Sequence, residues 1–159
     1  MAAKLSEVTT LLSGEMRDGR HVLPVRVYYE DTDFSGVVYH ASYLRFMERG
    51  RTDYLRLLGI DHRAMFEKGA TPGLAFVVRT MTIEFLKPAY MDDILQIVTQ
   101  PEEVGGASAI LMQHVMRGTE ALIEAHVRFA VIAGGRPQRM PKALREAMAA
   151  QQKQIAASR

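Results

Sequence analysis

Asp33 and His40 stand seven residues apart in Tyr28-Tyr29-Glu30-Asp31-Thr32-Asp33-Phe34-Ser35-Gly36-Val37-Val38-Tyr39-His40, a stretch that leaves a strand-like run and enters an amphipathic helix near Ala41 or Ser42. A carboxylate so placed can act as a nucleophile or a general base, and an imidazole can position or activate water. The helix start contributes unpaired backbone N–H groups and the positive end of the helix dipole, which favour an anion or a polarised carbonyl oxygen. Tyr29 can hydrogen-bond a carboxylate or water and hold it in place. Gly36 lets the loop turn tightly and leaves room beside Asp33.

Each of these residues also has a plainer reading. An aspartate in a glycine-containing turn serves as a turn-former or helix cap, a histidine satisfies nearby backbone groups, and Tyr29 is a strand aromatic. Asp31, Asp33 and His40 have no further ligand at a recognised spacing, so no metal site is expected. Ser35 sits in Phe34-Ser35-Gly36 rather than in a G-x-S-x-G elbow, which argues against a serine nucleophile. His21, His62, His114 and His126 are scattered and are expected on the surface or on sheet faces.

The elements that must position this chemistry follow from periodicity. Val22 to Tyr29 reads as a first strand, with Pro24 pointing to an edge or an irregular start. From Tyr43, apolar residues recur at helical spacing through Met47, Gly50, Tyr54, Leu57 and Leu58, with Phe46 and Leu55 widening the stripe. Arg45, Arg49, Asp53 and Arg56 fall on the other faces, and Gly59 stops the helix. Gly50 inside the stripe predicts close approach of another backbone, since glycine costs a helix interior about 1 kcal/mol relative to alanine. Asp61 to Lys68 can form a short helical turn, broken by Thr71-Pro72-Gly73.

Four strands follow: Leu74 to Leu86, with Val77, Met81, Ile83 and Phe85 on one parity, then Asp93 to Thr99, Ala107 to Arg117, and the alternating Ile123, Ala125, Val127, Phe129 and Val131. Gly105-Gly106 and Gly118-Thr119-Glu120 predict hairpin connections, Gly134-Gly135 ends the sheet, and Pro141 opens a short C-terminal helix to about Gln152. One long helix after the first strand, then consecutive antiparallel strands, is an α+β order.

At 159 residues, 48% hydrophobic and 24% charged, the chain fits one domain with a sizeable core. The expected division is an N-terminal arm at 1–20, a domain at 21–135, and a C-terminal helix and tail at 136–159. The absence of cysteine excludes disulfides, thiolate metal sites and cysteine nucleophiles, and is compatible with a reducing cytoplasm. A formal charge of +2 from 20 basic and 18 acidic residues, interspersed, implies no strong field for nucleic acid. No apolar run approaches secretory or membrane-spanning length, so a cytoplasmic protein without membrane insertion is expected.

The block Tyr28 to Tyr43, with the order of elements around it, closely resembles the hotdog-fold acyl-CoA thioesterases. The similarity is to the Tol-Pal-associated group and its relatives among the 4-hydroxybenzoyl-CoA thioesterases. It runs over roughly 22–132, and Phe85-Leu86-Lys87-Pro88-Ala89-Tyr90-Met91-Asp92-Asp93 forms a second matching block. The resemblance implies a curved antiparallel sheet wrapped around one long helix, with Asp33 as the catalytic carboxylate and His40 and Tyr29 in the site. It also implies homodimers, often paired into homotetramers, with active sites at the dimer interface. No cofactor is implied; the coenzyme A thioester, or an acyl-carrier thioester, is the substrate.

The resemblance departs at Glu102-Glu103-Val104-Gly105-Gly106, where the 4-hydroxybenzoyl-CoA enzymes carry a basic cluster for coenzyme A phosphates and this chain has no Lys or Arg. An aromatic substrate is therefore not implied. Two other readings stay open: a non-catalytic hotdog module that binds acyl-CoA or acyl-carrier protein, and a hydroxyacyl thioester dehydratase. Retention of both Asp33 and His40 favours the enzyme over the module, because binding alone needs neither. The nearness of His40 to the carboxylate loop disfavours the dehydratase.

Overall fold

Asp18 and Gly19 both adopt positive φ, at 50° and 80°, the backbone that a two-residue hairpin with right-handed twist requires. In the computed structural model, which describes residues 12–159, this turn folds Glu15–Arg17 (β1) back onto Arg20–Arg26 (β2), with Glu15 opposite Val22. The first strand thus starts and ends earlier than the expected Val22 to Tyr29. Residues 15–20 belong to the sheet rather than to a loose arm; residues 1–11 of that arm lie outside the described residues. Pro24 falls beyond the reach of β1, where its missing N–H removes no ladder bond on that side.

The long helix, His40–Leu57 (α1), ends in a Schellman-type turn in which the Ile60 amide donates to the Leu55 carbonyl at 3.0 Å and Gly59 takes φ 94°. His62–Lys68 (α2) follows, its first turn capped by the Asp61 side chain. Then come Ala75–Phe85 (β3), Ile94–Val104 (β4), Ser108–Arg117 (β5), Glu120–Ala133 (β6), Arg136–Pro137 (β7) and Lys142–Ala157 (α3). Gly134-Gly135 turns the chain back into two more paired residues instead of ending the sheet, and α3 runs five residues past the expected Gln152.

All strand pairs are antiparallel in the order β1-β2-β4-β5-β6-β3, with β7 beside β6, so β5 and β6 separate β3 from β4. This curved sheet around one long helix is the α+β hotdog arrangement that the resemblance implies. In β3 the register shifts between Val78 and Thr80, leaving Arg79 as a bulge. Parity therefore breaks: Phe76 and Val78, rather than Val77, share the face of Met81, Ile83 and Phe85. The other edge of β3, an 11-residue strand, pairs with no strand among the described residues.

Tyr43, Phe46 and Met47 of α1 pack on Leu95, Ile97, Val115, Ile123 and Val127, while Tyr54 and Leu55 join Leu111, Phe129 and the α3 residues Leu144 and Met148. Gly50 lets the helix settle onto the sheet. A Cβ there would stand 2.7 Å from Ile97 Cγ2, 3.3 Å from Gln113 Nε2 and 3.4 Å from Thr99 Oγ1. The close approach is thus to side chains of β4 and β5, not to backbone.

Two buried polar sets run along this seam. Arg51 Nη1 donates to Gln113 Oε1 at 2.9 Å, and Gln113 Nε2 donates to the Met47 carbonyl at 3.0 Å and to Thr99 Oγ1 at 2.9 Å. Asp53, placed by periodicity off the apolar stripe, is buried; its Oδ2 accepts from the Gly14 amide at 2.8 Å and lies 2.7 Å from His21 Nε2. His21, expected on the surface or a sheet face, sits in β2 on the sheet face turned to the helix and is fully buried. Its burial outweighs the pull of the Asp53 carboxylate and lowers its pKa, so the ring is neutral and Nε2 carries the donated proton. Leu57, counted in the apolar stripe, is 40% exposed.

Gly50→Val should destabilise the fold by roughly 1–3 kcal/mol through overpacking, read as a lower urea midpoint. Stability should also fall as pH drops below 6.5, because unfolded His21 gains a proton that the folded state refuses. His126, raised mainly by its bond to Glu102, works in the opposite sense: it adds stability below 6.5 that is lost as pH rises through its elevated pKa. Urea titrations at pH 7 and 5.5 should show a smaller decline in His21→Gln, which does not titrate.

Candidate active site

Beyond β2 the chain stays tied to the sheet margin, the Val27 amide donating to the Asp93 carbonyl at 2.9 Å and the Asp92 amide to the Val27 carbonyl at 3.1 Å. A 3₁₀ turn at Tyr29–Asp31 follows, closed by the buried Asp31, whose Oδ2 accepts from the Tyr28 amide at 2.8 Å. The Asp31 carbonyl then accepts twice, from the Tyr39 amide at 2.9 Å and from Ser42 Oγ at 3.0 Å. Asp31 is thereby a structural clamp across the loop.

Inside the clamp, the Gly36 amide donates to the Asp33 carbonyl at 3.1 Å and the Asp33 amide to the Val37 carbonyl at 2.9 Å. Gly36 at φ 85° makes this tight turn possible, as its position in the motif predicts. The Val38 amide donates to the Ala89 carbonyl at 2.9 Å, and the Ala89 amide donates to the Tyr43 hydroxyl at 2.9 Å. Loop, helix and the 85–93 segment therefore meet at Ala89, which is fully buried. Arg117 braces that segment by donating to the Pro88 carbonyl at 3.2 Å and to Asp93 Oδ2 at 2.8 Å.

An open cleft of about 370 Å³ lies at this junction, with Asp33, His40, Tyr43, Phe85, Lys87 and Pro88 among its walls. The structure thus brings Asp33 and His40 to one volume. Asp33 is exposed, and its Oδ1 accepts from the Ser35 hydroxyl at 2.5 Å and the Ser35 amide at 2.8 Å. The Ser35 hydroxyl chiefly, with the Ser35 and Val37 amides, holds the Asp33 carboxyl below its usual range. His40 is the first residue of α1, its ring 4.5 Å from that of Tyr39 and 6.3 Å, edge-on, from Phe85. No side chain caps the helix, and His40 and Tyr43 of its first turns line the cleft.

Tyr29 is not brought in: its ring is 83% exposed and forms no wall of this cleft. Lys87 and Phe85 are wall residues that only the second matching block signalled. The Asp-x-Ser pattern, in which an aspartate accepts from the residue two positions on, is the sequence signal for the role Ser35 takes here, donor to Asp33 rather than nucleophile. A separate hollow of about 190 Å³ beneath the start of β3 is lined by Leu55, Met65, Phe66, Phe76 and Phe129, with Arg51 and His62 on its polar side, and contains neither Asp33 nor His40.

The sequence model of the Thioesterase superfamily matches residues 35–124. The chain is 44% identical over 134 residues to an acyl-CoA thioesterase YbgC of Haemophilus influenzae, covering 83% of this chain and 96% of the relative. It is 42% identical to an acyl-CoA thioester hydrolase YbgC of Escherichia coli O6:H1, covering 82% and 94%. Among solved structures, a probable thioesterase from Bartonella henselae is 43% identical with a TM-score of 0.72, covering 77% of this chain and 99% of that one.

Tyr43→Phe should cost about 1–3 kcal/mol in chemical denaturation, because it strands the buried Ala89 amide at the junction.

Proposed function

The chain belongs to the Thioesterase superfamily, and from that premise we propose that it hydrolyses acyl-CoA thioesters to a free acid and coenzyme A. The relatives named for this activity support the reading, and the observation that carries it is the single cleft shared by Asp33, His40 and the uncapped start of α1. A thioester releases a thiol of pKa about 8.5, which leaves as thiolate with little acid assistance. The demanding steps are delivering the nucleophile and stabilising the carbonyl oxygen.

Asp33 supplies the first, attacking the carbonyl or deprotonating water, and its lowered pKa keeps it ionised for either. The amides at the start of α1 supply the second, a single oxyanion donor being worth about 2.7–4 kcal/mol. His40 positions the hydrolytic water. Tyr29 stands outside the cleft walls, and its proposed part is to hold a carboxylate or water through its hydroxyl once bound substrate covers it.

The proposal includes a homodimer joined through the free edge of β3. A strand edge of this length with no partner among the described residues, with Phe85 at 53% and Val78 at 45% exposure along it, is a template for pairing with a second copy. Pairing of dimers into tetramers belongs to the same proposal, as does a cytoplasmic location, with which the absence of cysteine is compatible. No helix among the described residues is long and apolar enough to cross a membrane.

Free-thiol release over a panel of acyl-CoA and acyl-carrier substrates tests the activity. Asp33→Asn should lower kcat by at least about 10²-fold and His40→Ala by about 10²-fold, both with unchanged circular dichroism. A folded Asp33→Asn protein with near wild-type turnover would show the assignment to be wrong.

A further inference from the structure

The loop around Asp33 contains a hydrogen-bond arrangement that the hydrolysis itself does not require. Both donors of Ser35 converge on one carboxylate oxygen: the hydroxyl reaches Asp33 Oδ1 at 2.5 Å and the amide at 2.8 Å. The first distance lies at the short end of the range for a hydroxyl bound to an ionised carboxylate. Residue 35 is held in turn by the backbone bonds from Gly36 to Asp33 and from Asp33 to Val37, so the donors are fixed before any ligand arrives.

An exposed aspartate otherwise rotates freely about two side-chain torsions. Two converging donors hold one rotamer and leave Oδ2 outside the grip of Ser35, available to a carbonyl carbon or a water. A hydroxyl donating its proton here is also not a nucleophile in waiting, which accounts for a serine beside the cleft without an elbow around it.

We infer that Ser35 is a positioning residue for this hydrolysis, its hydroxyl orienting the Asp33 carboxylate so that Oδ2 faces the thioester. The inference rests on the reading of Asp33 as the carboxylate that acts on the substrate. The Ser35 hydroxyl is the largest cause of the lowered Asp33 pKa. Its removal raises that pKa, and an activity that needs ionised Asp33 is then lost at a higher pH on the acid side.

The test compares the pH dependence of kcat/KM and the separate kcat and KM of wild type, Ser35→Ala, Ser35→Thr and Asp33→Asn, using an acyl-CoA that the wild type turns over. Ser35→Ala should displace the acid limb to higher pH and lower kcat roughly tenfold with KM little changed, since misorientation of a reacting group falls on turnover. Ser35→Thr, which retains the hydroxyl, should restore both. An inactive Asp33→Asn beside a Ser35→Ala whose limb and kcat match wild type would overturn the inference alone. An active, folded Asp33→Asn would overturn it together with the reading it rests on.

Discussion

The carbonyl oxygen of Asp31 holds the site together. By accepting from both the Tyr39 amide and the Ser42 hydroxyl, it closes residues 32–38 into a loop whose two ends are fixed relative to the first turn of α1. An unpaired carbonyl at that depth would be costly, and satisfying it twice makes the position of the loop a consequence of backbone hydrogen bonding rather than of loop composition. Everything chemical in the cleft is referenced to that point: the turn at Gly36 sets where Asp33 stands, and the clamp sets where the helix mouth stands relative to it.

The clamp needs a rigid floor, which the sheet provides. Gly50 allows α1 to lie against Ile97, Thr99 and Gln113, and the Arg51–Gln113–Thr99 bonds satisfy the polar groups trapped along that seam. Ala89 then joins loop and helix to the 85–93 segment through its carbonyl and amide. The electrostatic outcome is an exposed carboxylate kept anionic by local donors, beside a helix start without a side-chain cap.

Much of this was legible in the chain. The alternation of Ile123 to Val131 with Glu124, His126 and Arg128 appears as β6, and the stripe from Tyr43 to Tyr54 appears as the buried face of α1. What periodicity missed are positions where hydrogen bonding or a bulge overrides it. Asp53 is polar yet buried because His21 and the Gly14 amide meet it there, a contact across 32 and 39 residues that no local pattern encodes. Arg79 shifts the parity of β3 by one residue, and nothing in the apolar pattern announces the bulge. Asp18-Gly19 is a type I′ signal for the β1–β2 turn, but the strand before it is only three residues long and carries no alternating apolar pattern. At the cleft, Asp33 and His40 were singled out by the resemblance, type and spacing alone leaving a turn-former and a capping histidine equally open, whereas the walls Phe85, Lys87 and Pro88 depend on long-range pairing and on Ala89.

The most direct measurement of the central claim is a titration of ¹⁵N-labelled protein with an unreactive acyl-CoA analogue in which a methylene separates sulfur from the carbonyl. The account expects saturable shifts of the His40 and Ala41 amides together with those of Ser35 and Gly36, all following one binding curve. Shifts that saturate elsewhere on the molecule while these four amides stay unmoved would contradict it.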